Sequence, residues 1–338
     1  SNDTLTISPQ TGWATGWSRT LDIDVQEQGG PESVSLALEY DVFAASSLTY
    51  LYVDAANGND TDNDGLSPDA PKQTITAAVD AASDPSAVLV AGGIYPVNSD
   101  PAVATHIVLA EGVSLYGGYA PGFVFRDPEA YPVEITDQCT VTGFNNNAML
   151  APNGSGVTNA TVVDGFSIQG GGGTVSSAIR TDNASPTLRH NVLHGGSADY
   201  THAVHPGNGS APLVQENVLY GGDATQQAWG VYSENSAAII ERNFVDGGTS
   251  DSATIGIFVN NSNGDSIRNN VVNGGVSTTT VGIQASGVVH VANNTIGGGV
   301  ASWVAMAMAY DNGEVTVENN IMFSGAGGYN VCFAEWQQ

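Results

Sequence analysis

The chain has 338 residues, of which 12% are charged, and the charge is lopsided: 34 Asp and Glu against 7 Lys and Arg, for a net charge of -27. A surface this acidic repels nucleic acid and anionic lipid, so neither is an expected partner. No run of about 18 apolar residues exists, so no membrane insertion is expected. The 42 glycines, set among Asn, Ser, Thr and Val, favour short strands and tight turns over helices.

Residues 1–48 carry three alternating stretches, Thr4–Ile7, Leu21–Val25 and Val34–Leu38, and predict a small N-terminal β segment or arm. Residues 49–338 predict a second region. Tyr50–Val53 reads as a strand followed by a polar loop, and 73–83 as a short helix, with Ile75, Ala78, Val79 and Ala82 at helical spacing. Val88–Val90, Ile107–Leu109 and Val113–Leu115 read as strands of irregular coils, and 117–133 as a loop insertion.

From there on a repeat governs the sequence. Asn191, Asn217, Asn243, Asn270, Asn294 and Asn320 recur at spacings of 26, 26, 27, 24 and 26, and the first five are followed by Gly-Gly after an apolar pair. Three residues before each asparagine stand Leu188, Val214, Ile240, Ile267, Val291 and Val317; two after it stand Leu193, Leu219, Val245, Val272, Ile296 and Met322. A third apolar position recurs at Ile179, Val204, Val231, Ile257, Ile283 and Met308. Three short apolar strands per coil cannot bury themselves, but stacked coils bury one another. The fold expected is therefore an all-β, right-handed parallel β-helix with coils of about 26 residues, the 73–83 helix covering its open end. The asparagines are expected to form a ladder of side-chain amides and to take the left-handed backbone of a sharp corner.

Cys139 and Cys332 fall about seven coils apart. At about 4.8 Å per coil that far exceeds the roughly 7 Å a disulfide spans, so no intramolecular bridge is expected. Cys332 reads as a buried free thiol.

Tyr52-Val-Asp54, Gly58-Asn-Asp60, Asp64-Gly-Leu-Ser-Pro68, Thr74-Ile75 and Gly92-Gly-Ile-Tyr95 resemble the opening segment of secreted bacterial β-helix proteins, a domain of unknown function within the pectate-lyase-like superfamily. Leu115–Tyr119 and Arg126–Pro128 are similar to members from predatory and soil-dwelling proteobacteria. The resemblance spans roughly residues 50 to 330. It implies export to the cell surface or exterior, with the signal outside this chain, and carbohydrate contact, but no activity.

Two places invite chemistry. Asp60, Asp62 and Asp64 alternate before Gly65, as calcium loops begin, so Ca²⁺ is the expected cofactor; position twelve of such a loop, however, is Pro71 in place of Glu. The second is the outer face of the third strand. With Ile179, Val204 and Val231 inside, alternation sends Arg180, His205, Tyr232 and Phe258 out, together with Asp182 and Glu234 two residues further on. Superfamily enzymes place their sugar groove on such a face, and Trp229 and Tyr200, in adjoining loops, would stack on sugar rings. Arg180, Asp182, His205, Trp229, Tyr232, Glu234 and Phe258 are thus the carbohydrate-binding candidates, and Asp182, Glu234, His205 and Arg180 the weaker catalytic ones. Asp182 and Glu234 lie two coils apart, about 10 Å, marginal for an inverting glycosidase and too far for a retaining one. His190, His194, His202 and His205 fall within one coil but on different strands, so a zinc site is not implied. His190, Glu216 and Arg242 are expected to pair as stack neighbours on the surface.

The reading is an extracellular structural or adhesive module, binding polysaccharide or assembling with other surface protein subunits. The alternative is a polysaccharide lyase or glycoside hydrolase.

Overall fold

The computed structural model describes residues 18–26, 33–41, 48–99, 106–141 and 145–335, in two units, Ser1–Leu48 and Thr49–Gln338. In the first, strands Ser18–Gln26 and Ser33–Asp41 pair antiparallel, with Leu21 opposite Leu38. They include the stretches expected at 21–25 and 34–38; the one expected at 4–7 lies outside the described residues.

The second unit is a right-handed parallel β-helix of about nine turns. One coil consists of a first strand Thr187–Arg189, a second strand Val192–His194 and a third strand Ser197–Gly207. Coils stack in register, like residue over like: Leu188 on Val214, Leu193 on Leu219, Val204 on Val231. The second strands form their own nine-stranded sheet, while first and third strands share a 17-stranded one. Toward the C-terminus a third strand runs unbroken into the next first strand, as in Ala253–Arg268 and Val276–Ala292. Ile179, Val204, Val231, Ile257, Ile283 and Met308 are all completely buried. Each such side chain stabilises the stack by about 1.5–3 kcal/mol.

The asparagine ladder is continuous. Asn191 Nδ2 donates to Asn217 Oδ1 at 3.1 Å, and the same bond recurs from Asn217 to Asn243, Asn243 to Asn270, Asn270 to Asn294 and Asn294 to Asn320 at 3.0–3.1 Å. Each Oδ1 also accepts the backbone N–H of the asparagine one coil before it. One expectation is corrected: the ladder residues do not take the left-handed backbone. The residue before each does, at His190, Glu216, Arg242, Asn269, Asn293 and Asn319, with φ between 53 and 57°. The corner must turn there so that the following amide points inward to its neighbours. That residue's side chain is left outside, and the corner tolerates a histidine, a glutamate and an arginine.

The recurring Gly-Gly makes the next corner. Its second member has positive φ at Gly196, Gly222, Gly248, Gly275 and Gly299. A Cβ on its first member, Gly221, would lie 2.2 Å from the carbonyl oxygen of Gly247, so only glycine lets the coils close to strand spacing here.

The helix near the N-terminal end spans Ile75–Ala81, shorter than the 73–83 expected, because Thr74 caps it and Ala82 returns to extended backbone. Thr74 Oγ1 accepts Ala77 N–H at 3.2 Å, and Ile75, Ala78 and Val79 join the core. The loop between strands Val113–Tyr119 and Val133–Asp137 is held by Arg126, discussed below. Cys139 is buried; Cys332 is exposed rather than buried, and both thiols are free. Among the described residues no helix is long and apolar enough to cross a membrane.

Candidate functional site

The third strand is bent, and the bend builds the site. In Asp223–Glu234, Ala228, Gly230 and Val231 all lie inside the wall. A Cβ on Gly230 would meet Val245 Cγ1 at 2.4 Å and the Gly256 carbonyl oxygen at 2.6 Å, so this position faces the second sheet across the core and admits only a small residue. Two successive inward residues, 230 and 231, interrupt the alternation. Trp229 and Tyr232 therefore both project outward, three residues apart, with ring centroids 5.1 Å from each other. His202 and His205 repeat this one coil earlier at 4.8 Å. Stacked bends turn the outer face into a trough along the helix axis.

Its two walls follow the coil register. Before the bend stand Ser177, His202, Trp229, Ile255, Val281 and Met306. After it stand Arg180, His205, Tyr232, Phe258, Gln284 and Ala309. Arg180, His205, Tyr232 and Phe258 thus stand in one row. Trp229 and Tyr200 are not in loops: both are strand residues, because strict alternation, which would put Trp229 inside, fails at the bend. The small residues Ala178, Gly230, Gly256 and Gly282 were the available signal for that bend.

The rings pack tightly. Trp229 stacks on His202 at 5.0 Å and on Tyr200 at 6.1 Å; Tyr232 stacks on Phe258 at 5.2 Å. His205 meets Tyr232 edge-on at 4.9 Å. Trp229, with Ile255, Val281 and Met306, forms a second apolar cluster on the outside of the solenoid wall, distinct from the core. His205 and Trp229 are buried rather than exposed, at 8% and 6%, while Tyr200 keeps 36% and Tyr232 and Phe258 are half-buried. His202 Nδ1 lies 3.1 Å from Ser177 Oγ. His205 Nδ1 and Trp229 Nε1 are buried with no hydrogen-bond partner.

Burial pushes the His205 imidazole down to about 3, and the Arg180 charge adds to this against Asp182. His202 is also held well below its ordinary value, by burial first and then by His205 and Arg180. Both rings are neutral at pH 7. At the trough's N-terminal end Arg180 donates from Nε and Nη2 to the two oxygens of Asp182 at 2.9 and 3.2 Å, and Asn208 Nδ2 adds a bond at 2.9 Å. Burial raises the Asp182 carboxyl, but these partners outweigh it and hold the group below its usual range. Asp182 lies in register with Gly207, and Gly207 with Glu234. The two carboxylates are therefore two strand spacings apart, about 10 Å.

A second polar assembly, on the corner between first and second strands, was only partly legible. The expected His190–Glu216–Arg242 pairing is present, at 2.8 Å for each contact. It continues into two buried carboxylates. Asp164, 2% exposed, takes Arg126 on one oxygen and Arg189 on the other; Glu241, 6% exposed, takes Arg242 and Arg268. Four of the seven basic residues are thus committed to one ladder.

In the acidic loop the carboxylates serve the loop itself. Asp60 Oδ1 accepts Gln73 and Thr74 N–H at 2.7 and 3.0 Å, and its Oδ2 accepts Thr74 Oγ1 at 2.8 Å, which fixes the start of the helix. Asp62 accepts Asn59 Nδ2, and Asp64 accepts Leu66 N–H, both at 2.9 Å. Among the described residues no three His, Cys, Asp or Glu side chains are grouped to hold a metal.

Comparison with solved structures finds similar architectures at low identity. Pectate lyase Pel9A is 13% identical with a TM-score of 0.44, over 82% of this chain and 79% of that one. A rhamnogalacturonan lyase is 12% identical with a TM-score of 0.38, over 85% and 73%. The family 28 exopolygalacturonase of Yersinia enterocolitica is 11% identical with a TM-score of 0.35, over 97% and 84%. No curated protein matches the sequence. A family profile matches residues 56–247, more than half of the chain, and the chain belongs to the family described as Protein of unknown function (DUF1565).

Proposed function

We propose that this chain is an exported, rigid β-helix module that binds carbohydrate through the aromatic trough and does not turn it over. One observation carries the reading: Tyr200, Tyr232 and Phe258, from three successive coils, keep partly open rings packed around the buried Trp229. Ring faces accept the apolar C–H faces of sugars, and a rigid scaffold spares the entropy of ordering them. The unpartnered His205 Nδ1 and Trp229 Nε1 cost the folded state stability. A hydroxyl-bearing ligand that parts the overlying rings recovers that loss.

Catalysis ranks second. Asp182 and Glu234 face the same trough across the side-chain-free Gly207, but about 10 Å is just beyond the 6.5–9.5 Å that inversion uses. Asp182 is also committed to Arg180.

The test is affinity electrophoresis of the whole chain through gels cast with soluble polysaccharides, paired with assays for new reducing ends and unsaturated uronates, with and without Ca²⁺. Retardation without turnover, lost in Tyr200→Ala, is the expected result. Sustained turnover lost in Asp182→Ala or Glu234→Ala makes the protein an enzyme instead.

A further inference from the structure

We infer that the trough selects an uncharged glycan and turns away uronate polymers. The inference rests on the carbohydrate reading above and adds the chemical class of the ligand.

The argument is a charge inventory. A polymer with a carboxylate on every sugar needs cations along its path, as bidentate arginine forks, lysine point charges or a divalent ion held by clustered carboxylates, and among the described residues no such cluster exists. This chain has seven Lys and Arg in all. Arg126, Arg189, Arg242 and Arg268 are paired in the ladder at the other corner of the coil. Lys72 donates to the Asp60 carbonyl oxygen at 3.1 Å in the N-terminal loop. Arg19 belongs to the first unit, and among the described side chains of the second this leaves Arg180 as the trough's one permanent cation, its Nε–Nη2 fork already paired with both oxygens of Asp182.

The rest of the trough offers an anion no positive charge. His202 and His205 are neutral, buried among rings and beside Arg180. Two coils on from Asp182 a second carboxylate, Glu234, stands in the same row. A uronate lying along the trough therefore meets repulsion, at a protein that already carries a net charge of -27. A neutral sugar meets stacked rings, the amides of Gln284 and of Asn260, which follows Glu234 in its row, and the carboxylates as hydroxyl acceptors, none of which requires a counter-charge.

The experiment uses the whole chain and two polymer sets, neutral glucans, xylan, mannan and galactan against polygalacturonate and alginate, at 20 mM and 500 mM NaCl. Binding to at least one neutral polymer that changes less than twofold with salt, with uronate affinity at least tenfold weaker, is expected. Uronate binding equal to or tighter than neutral binding overturns this inference and leaves the carbohydrate reading standing. Binding to neither set overturns that reading itself. Asp182→Asn frees the Arg180 fork and Glu234→Gln removes the second carboxylate; each is expected to raise uronate affinity at least threefold at low salt, with folding checked by thermal unfolding. If both variants fold and neither gains, charge is not what excludes uronates and the inference fails.

Discussion

Asp164 is almost completely buried, and Arg126 reaches it from a loop 38 residues earlier in the sequence. The guanidinium also donates to the carbonyl oxygens of Gly117 at 2.7 Å and Asp164 at 3.0 Å, so one side chain ties the inserted loop to the first-strand stack. Burial opposes ionisation of Asp164, but the hydrogen bond from His190 and the charges of Arg126 and Arg189 prevail and hold its carboxyl far below the usual range. Its contribution to stability is complete above the unfolded carboxyl's pKa of about 3.9 and is lost only as pH falls through the lower folded value. At pH 7, Asp164→Asn is expected to cost about 3 kcal/mol, the low end for breaking a buried pair because both arginines keep some contact with water. Urea denaturation measures this. A cost below about 1 kcal/mol would reduce the hub to an ordinary surface pair.

The two trough histidines act in the same direction as Asp164 but in a higher pH window. Unfolded, each titrates near 6.5; folded, His205 titrates at about 3 and His202 well below its ordinary value. Below pH 6.5 the unfolded chain binds protons that the folded chain refuses, so stability falls as pH falls. The slope approaches about 1.4 kcal/mol per pH unit for each histidine. His106 and His194, lowered mainly by burial, act in the same direction. His190 opposes them: its hydrogen bond to Asp164 raises it, and that stabilisation is lost as pH rises through its folded value. It is about half exposed, at 51%, and its effect is small. Unfolding free energies from pH 7.5 to 4.5 should decline steeply, and the double variant His202→Gln, His205→Gln should flatten the decline. An unchanged slope would mean that both rings already reach water.

The coil and its three apolar rows were legible in the sequence because stacking puts like residues over like, and each buried row repeats at a fixed phase. Leu188, Leu193 and Val204 could each be placed from period alone. The trough was half legible. Arg180, His205, Tyr232 and Phe258 follow from alternation after Val231, but Trp229 and Tyr200 do not, since two inward residues at 230 and 231 reset the phase. Asp164 and Glu241 were missed for another reason. Burial of a carboxylate is decided by partners 25–38 residues away, such as Arg189 and Arg126, and no local pattern marks them.

Asn243 sits mid-ladder, with its carboxamide bonded to Val214, Asn217 and Asn270. Asn243→Ala strands the buried Asn217 backbone N–H and the Val214 carbonyl, at about 1–3 kcal/mol for each orphan. A loss of about 3 kcal/mol in urea denaturation is expected, against about 1 kcal/mol for Asn320→Ala, whose site is partly open to water. Equal costs at the two sites would mean that ladder position is irrelevant.

Inside the bend, Thr201 and Thr254 bury hydroxyls that have no partner. Valine has nearly the same shape and brings no such group. Thr254→Val is therefore expected to stabilise the fold by about 1 kcal/mol, read as a shift in urea midpoint at constant m-value. Destabilisation would indicate a water bound at that hydroxyl.

The trough's rings separate binding from folding. Trp229 is packed against His202 and Tyr200 of the preceding coil and belongs to the outer apolar cluster, so Trp229→Ala is expected to remove about 3–5 kcal/mol of stability and all carbohydrate binding together. Tyr200 lies at the cluster's edge with 36% of its surface open. Its removal exposes one face of Trp229 without opening a cavity, and Tyr200→Ala should change stability by less than about 1 kcal/mol. Affinity should nonetheless fall about tenfold, the loss of one stacking face worth roughly 1.4 kcal/mol. Isothermal titration and thermal unfolding on the same samples distinguish the cases. Full affinity in a stable Tyr200→Ala protein would place the ligand away from this ring, which is the most open of the aromatic side chains packed on Trp229.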